Sequence, residues 1–196
     1  MAIEAGAQLA NMQNAYWMQS TLEYKPQHRA AKPNYLLGSD ERARPGAILV
    51  NSKGKRFVNE ATNYNAVGKA LHAFDAGTHT YANLPYWLII DQRYKEKYHT
   101  FNSPPGAPAP SFMTQADTLT GLAEKVGIDP DGLTMQVERF NAMVANGHDD
   151  EFNRGDNTYD NFYMWGDMEF DPPFRTLGVI DRAPFYAVKM EAGALG

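Results

Sequence analysis

Four residues that can exchange protons or hydrogen bonds crowd one short stretch: Asn59, Glu60, Asn63 and Tyr64. A carboxylate accepts hydrogen bonds, and a phenol can take a proton once a neighbour favours its ionised form. Tyrosine occurs eleven times in the chain, and most copies must serve packing or rim roles, so composition alone does not single out Tyr64. Position does. Tyr64 follows Glu60 by four residues at an expected strand-to-helix junction, where a side chain is held rigidly yet can face a cavity. The alternative is that Tyr64 caps the core beneath the helix.

Other constellations carry less. The group Asp149, Asp150, Glu151, Asp156 and Asp160 invites a calcium reading, but its spacing departs from the D-x-D/N-x-D/N-G loop. A solvated acidic loop paired with Arg154 is the simpler expectation. The five histidines show no paired ligand spacing, and the absence of cysteine excludes disulfides, thiolate nucleophiles and Cys-type metal sites. No serine stands in a Gly-x-Ser-x-Gly elbow. No two glycines are spaced Gly-x-Gly, and no Gly-Lys-Ser/Thr occurs, so neither standard pyrophosphate loop is present. Lys53, Lys55 and Arg56 read as a turn cluster only.

The elements that must position these residues follow from periodicity. Ile3, Leu9 and Met12 recur at roughly helical spacing near the start, and the prolines at 26, 33 and 45 make the following polar text a meandering loop. Ala47 to Asn51 and Arg56 to Glu60 alternate in polarity around Ser52-Lys53-Gly54-Lys55, the pattern of a β-hairpin. Asn65 to Phe74 reads as a helix, and Trp87 to Ile90 as a buried strand ending at Asp91. SPPGAPAP, from Ser103 to Pro110, is an ordered surface loop. Two helices follow, one around Thr118 to Val126 closed by Gly127, the other opened by Asp129-Pro130 and closed by Gly147. The acidic and aromatic stretch after His148 is irregular, and Pro184 to Met190 is a last strand. No internal repeat is visible.

With 196 residues and 43% hydrophobic content, the chain can bury one sizeable core. The fold class expected is α+β: a small mixed or antiparallel sheet with a β-hairpin and packed helices. A net charge of -5 provides no extended positive field, which disfavours nucleic acid as a partner. No apolar run approaches the ~18 residues of a membrane span, and the first residues lack a signal-peptide layout. Cytoplasmic is the default location.

Several ordered motifs resemble one family. Pro45-Gly46-Ala47-Ile48-Leu49-Val50-Asn51 and Gly54-Lys55-Arg56-Phe57-Val58-Asn59-Glu60 are similar to the P-G-x-I-x-V-N-x-x-G-x-R-F-x-N-E signature of the fumarate reductase and 3-ketosteroid dehydrogenase flavoproteins. TLTGLAEKVGI, ending at Ile128, resembles the family's T-L-x-E-L-A-x-K-x-G-I helix. Arg139-Phe140-Asn141, then Gly147, Asp149, Phe152 and Arg154-Gly155, resemble its R-F-N and G-x-D-x-x-F-x-R-G pattern, and PFYAVKMEAGALG resembles the run P-F-Y-A-V-x-x-x-x-G-x-L-G.

The resemblance implies an FAD-dependent oxidoreductase whose FAD-binding domain is split, its glycine fingerprint lying before this region. This chain would then be the substrate-facing cap domain of a two-domain flavoprotein: residues 1–22 a helix at the edge of the FAD domain, 23–183 the cap, and 184–196 a strand returning to the FAD domain. Gly193, Leu195 and Gly196 would touch the cofactor, and Asn59, Glu60 and Asn63 the substrate. FAD would belong to the full-length enzyme and be absent from this chain, whose partners would be that missing domain and an apolar small molecule. Dicarboxylate reducers of the family place arginines near the N-E motif, because a guanidinium fits a carboxylate. No arginine lies between Glu60 and Arg93 here, which leans toward the ketosteroid branch, where the N-E-x-x-x-Tyr tyrosine resembles Tyr64. The implied chemistry is α,β-desaturation of a cyclic ketone, with a tyrosinate as base. Two alternatives stand beside it: a fumarate reductase-like enzyme, and a non-catalytic binding module using the aromatic segment from Phe152 to Phe170.

Overall fold

Two strands with no polar face organise the molecule. β3 (Ala47–Asn51) and β6 (Tyr86–Asp91) are buried along their whole length, so each must be covered on both sides, as period-2 side chains require. One face sends Ile48, Val50, Trp87 and Ile89 against Leu122 of α4 (Leu119–Val126) and Leu133, Val137 and Phe140 of α5 (Pro130–Asn146). The other sends Ala47, Leu49, Leu88 and Ile90 against Val67 and Leu71 of α2 (Tyr64–Leu71) and Tyr94 of α3 (Gln92–Lys97).

The structure is a computed structural model that describes residues 3–10, 15–23, 34–163 and 166–195. The remaining elements are β1 (Tyr16–Glu23), β2 (Asn34–Leu37), α1 (Ser39–Ala43), a two-stranded ribbon of β4 (Phe74–Asp75) and β5 (Thr80–Tyr81), β7 (Met113–Ala116), a π-helical turn (Tyr159–Tyr163) and β8 (Phe185–Leu195). The main sheet runs β2-β1-β8-β6-β3, with β7 pairing β8 as well. All its ladders are antiparallel. β8 is the pivot: its first half pairs with β6 and β7, and its second half with β1.

Local chemistry explains the helix ends that were legible. The Thr118 hydroxyl accepts the Gly121 N–H, and the Asp129 carboxylate accepts the Asp131 N–H with Pro130 in the first turn, where its missing donor is not needed. Gly127 and Gly147 close both helices in the left-handed region. Lys95, almost fully buried, donates to Ser103 Oγ and to the Pro104 and Ala107 carbonyls, which fixes the proline-rich loop.

Four expectations need correction. Among the described residues of 1–22 no helix forms: residues 3–10 are turn and coil, and Tyr16–Glu23 is β1. Pairing to β8 and β2, with Trp17 seated on α2, overrides the weak apolar period. An alanine at Gly68 would put its Cβ 2.1 Å from Trp17, so the glycine is what lets helix and strand approach. The expected loop from Glu23 to Pro45 contains β2 and α1; residues 24–33 lie outside the described residues. Phe74 belongs to β4 rather than to the preceding helix. The hairpin's second strand does not form either, since Arg56 to Glu60 meets β3 only at an isolated Val50–Arg56 bridge. The turn itself is as expected, with Gly54 at φ 68°.

Candidate functional site

β3 is an edge strand, and its outward backbone groups need partners. Side chains supply them in place of a second strand. Glu60 Oε1 accepts the Leu49 N–H at 3.1 Å, and Arg154 Nη1 donates to the Ala47 carbonyl at 2.7 Å. Arg154 also reaches the Arg42 and Arg44 carbonyls. The segment after the turn still alternates, with Arg56, Val58 and Glu60 buried and Phe57 and Asn59 partly exposed. Its alternation therefore reflects burial without a ladder.

Those inward charges assemble one sealed ionic centre. Arg56 grips Glu60 through Nε–Oε1 at 2.8 Å and Nη2–Oε2 at 2.7 Å, and grips Asp149 at 3.0 and 2.8 Å. Both are two-point guanidinium–carboxylate contacts. Arg154 adds a third cation contact, 3.0 Å from Glu60 Oε2, and Glu151 reaches Arg56 at 3.3 Å. The rings of Phe140 and Phe152 flank the Arg56 guanidinium at 4.9 and 5.1 Å. Burial alone would keep Glu60 protonated, but Arg56 and Arg154 outweigh it and hold its carboxyl below the ordinary value. Asp149 is lowered in the same way, burial being overcome by its hydrogen bonds to Arg56. Burial also tends to lower Arg56, yet Glu60 and Asp149 carry it above its usual value.

This centre corrects two readings. Arg56 is no turn residue, and Arg154 bonds to Glu60 rather than salt-bridging a solvated acidic loop. Among the described residues no cluster of three or more acids and histidines could hold a metal ion. The signal that could have revealed the centre was in the sequence: Arg56 and Glu60 stand four apart, and the three motifs that contribute Arg56, Phe140 and Asp149 share one destination.

Four residues further on, the surroundings change. Asn63 caps α2, its Oδ1 accepting the Ala66 N–H at 2.9 Å, and Tyr64 is the first residue of the helix. β1 fixes that first turn: Gln19 Nε2 donates to the Tyr64 carbonyl at 3.1 Å, and Asn65 Oδ1 accepts the Trp17 N–H at 3.1 Å. The Tyr64 side chain is partly exposed, and its hydroxyl has no hydrogen-bond partner among the described residues. Asn59, by contrast, is engaged. Its Nδ2 donates to Asp160 at 2.8 Å, and its Oδ1 accepts the Ala61 N–H. Glu60 is wholly buried.

Orphaned polar atoms lie nearby. Arg42 donates through Nη1 to the carbonyls of Glu60 and Thr62, while its Nε and Nη2, and Gln19 Oε1, have no partner among the described residues although all are buried. Burial pulls the Arg42 guanidinium down to about 10. A separate apolar cleft of 440 Å³ opens where β3 begins, between α3 and residues 170–179, and Tyr64 is not among its lining.

Residues 1–196 match the family described as FAD binding domain. The chain belongs to this family. Similar proteins include 4-oxocyclohexanecarboxylate 2-dehydrogenase of Sinomonas cyclohexanicum, 37% identical over 100% of this chain and 33% of that protein. The 3-oxosteroid 1-dehydrogenase of Mycobacterium tuberculosis strain H37Rv is 37% identical, over 100% of this chain and 34% of that protein. Among solved structures, 3-ketosteroid delta1-dehydrogenase from Sterolibacterium denitrificans in complex with 1,4-androstadiene-3,17-dione superposes with a TM-score of 0.83 at 33% identity, over 100% of this chain and 34% of that one. The chain thus spans about a third of the length of the curated relatives it matches.

Family membership implies FAD, and this chain's residues can be tested against it. A pyrophosphate needs closely spaced glycines through which backbone N–H groups approach it, and the sequence has no Gly-x-Gly. Gly193, expected near the cofactor, is paired with Met18 in the β1–β8 ladder, where an added Cβ would meet the Met18 carbonyl at 3.1 Å. Leu195 ends β8, and Gly196 lies outside the described residues. These residues do not by themselves fit a whole dinucleotide.

Proposed function

We propose that this chain is the substrate-facing part of an FAD-dependent dehydrogenase that desaturates a cyclic ketone beside its carbonyl, with Tyr64 as the base that takes the proton. One observation carries the reading. Of the residues in the N-E-x-x-x-Tyr stretch, Asn59, Glu60 and Asn63 spend their side chains on protein partners, whereas the Tyr64 phenol does not. Its place supports the role. Side chains lean toward a helix's N-terminus, and that end of α2 favours the negative charge a tyrosinate would carry. The two dehydrogenases at 37% identity act, by their names, on a cyclic oxo acid and an oxosteroid; a cyclic ketone is what the two have in common.

Asn59, Glu60 and Asn63 act in this account as positioning residues. Glu60 holds the backbone of β3, and Asn63 fixes the turn that presents Tyr64. Residues before and after this stretch of the full-length enzyme would supply the pyrophosphate loop, so the isolated chain would bind FAD weakly. Sub-micromolar, stoichiometric FAD binding by the chain alone would contradict that part. The dicarboxylate-reducing alternative needs arginines free to clamp substrate: Arg56 and Arg154 are committed to Glu60 and Asp149, whereas the buried Arg42, beside the motif, keeps two donors without a partner among the described residues. No helix among the described residues is long and apolar enough to cross a membrane. The test is Tyr64→Phe in the full-length enzyme: turnover with a cyclic enone precursor is abolished while flavin content is unchanged, and retained turnover would return Tyr64 to packing.

A further inference from the structure

Among the described residues, two buried side chains spend all their hydrogen bonds on the short stretch that ends at Tyr64. Arg42 and Gln19 are both 0% exposed. Arg42 Nη1 donates to the Glu60 carbonyl and, at 2.9 Å, to the Thr62 carbonyl, and Gln19 Nε2 donates to the Tyr64 carbonyl at 3.1 Å. Three alternate carbonyls are thus gripped from two elements. The grips also share one base. The Gln19 carbonyl accepts the N–H of Gly38, which caps α1, at 2.9 Å, and α1 carries Arg42. Arg154, fixed on Glu60 at 3.0 Å, donates to the Arg42 carbonyl at 3.2 Å and the Arg44 carbonyl at 2.9 Å. A circuit therefore runs from β1 through α1 to residues 60–64 and back to β1.

These grips come at a cost in stability. Arg56 and Arg154 face carboxylates, whereas Arg42 is buried and, among the described residues, bonds only to carbonyls. Its Nε and Nη2, together with Gln19 Oε1, are left unpaired there. A buried polar atom without a partner is destabilising, and an apolar side chain of the same shape would avoid that loss. What the two polar residues supply instead is a fixed path for the backbone that carries the Tyr64 phenol. A base needs that: a displacement of ~1 Å can cost on the order of 100-fold in rate.

We propose that Gln19 and Arg42 are positioning residues for the proton transfer, a two-sided clamp that sets where the Tyr64 phenol stands; the inference rests on Tyr64 being the base. Gln19→Leu separates placement from folding. It removes the grip on the Tyr64 carbonyl, which the α2 ladder also serves, and with it the unpaired Oε1, so the melting temperature is expected within about 3 °C of the parent. Arg42→Lys keeps the charge and can hold one carbonyl, and Arg42→Met holds none. All are made in the full-length enzyme, and turnover per bound flavin is measured with 4-androstene-3,17-dione and with 4-oxocyclohexanecarboxylate as probe ketones. Misplacing a group that acts only in the transition state lowers kcat and leaves KM, so Gln19→Leu is expected to lower kcat about tenfold or more with KM within about twofold. Arg42→Met lowers kcat further than Arg42→Lys. Added to Tyr64→Phe, Gln19→Leu lowers the residual turnover no further, because the clamp acts through the phenol. Parental kcat in Gln19→Leu, a loss confined to melting temperature, or the same further loss on the Tyr64→Phe background would overturn the proposal while leaving the base in place. Turnover retained by Tyr64→Phe alone would overturn the base and the clamp with it.

Discussion

Glu60 and Tyr64 sit four residues apart in one motif, and their surroundings are opposite. Glu60 is sealed, wholly buried, bound by two guanidinium groups and spliced onto the edge of β3. Tyr64 is partly open, fixed through its backbone and, among the described residues, left without a partner at its hydroxyl. The charged members of such a signature are scaffold. They replace a missing strand and set the direction in which the chain emerges, so that the first turn of α2 starts from a rigid base.

The contrast breaks most visibly at the ionic centre. Arg56→Met leaves Glu60 and Asp149 buried without their main counter-charge, a change that costs on the order of 3–5 kcal/mol, read as a lowered denaturant midpoint. A loss under about 1 kcal/mol would show that solvent reaches the centre. Gly54→Ala comes next. Gly54 has φ 68°, and an added Cβ would fall 2.2 Å from the Leu133 N, so overpacking of about 1–3 kcal/mol is expected from the same measurement.

Acid should separate the two regions as well. The folded-state pKa values of Glu60 and Asp149 are held below their unfolded values. Their contribution to stability is thus complete above the ordinary carboxylate range of about 4 and is lost as pH falls through the lower folded values. Melting temperature followed downward from neutral pH should drop across that acid range, and more shallowly in Arg56→Met. Equal slopes would place the acid-sensitive groups elsewhere. Asn63→Ala, which removes only the α2 cap, should cost about 1 kcal/mol, checked by the same thermal melt.

How far these features were legible depends on whether their causes were local. The caps Thr118 and Asp129 and the closing Gly127 and Gly147 act within a few residues, and α4 and α5 stand as the spacing predicts. β6 was legible too, since a continuous apolar run needs cover on both faces, and β8 was legible as far as Met190. The first strand was not. What makes Tyr16–Glu23 a strand is β8, which begins more than 160 residues later. The false hairpin teaches the converse: Arg56 to Glu60 alternates because alternate side chains enter the ionic centre, and the ladder it mimics is supplied by Glu60 and Arg154. Gln19 and Arg42, with buried orphan atoms beside Tyr64, carried no local signal at all.

Stability resides at Glu60 and the proposed chemistry at Tyr64, a division that two variants separate. In the full-length enzyme, Tyr64→Phe and Glu60→Gln are compared by thermal melting and by turnover in the same preparation. Tyr64→Phe is expected to melt within ~0.5 kcal/mol of the parent yet to lose turnover, whereas Glu60→Gln is strongly destabilised. A Tyr64→Phe enzyme that is destabilised like Glu60→Gln, or that turns over normally, would contradict that division.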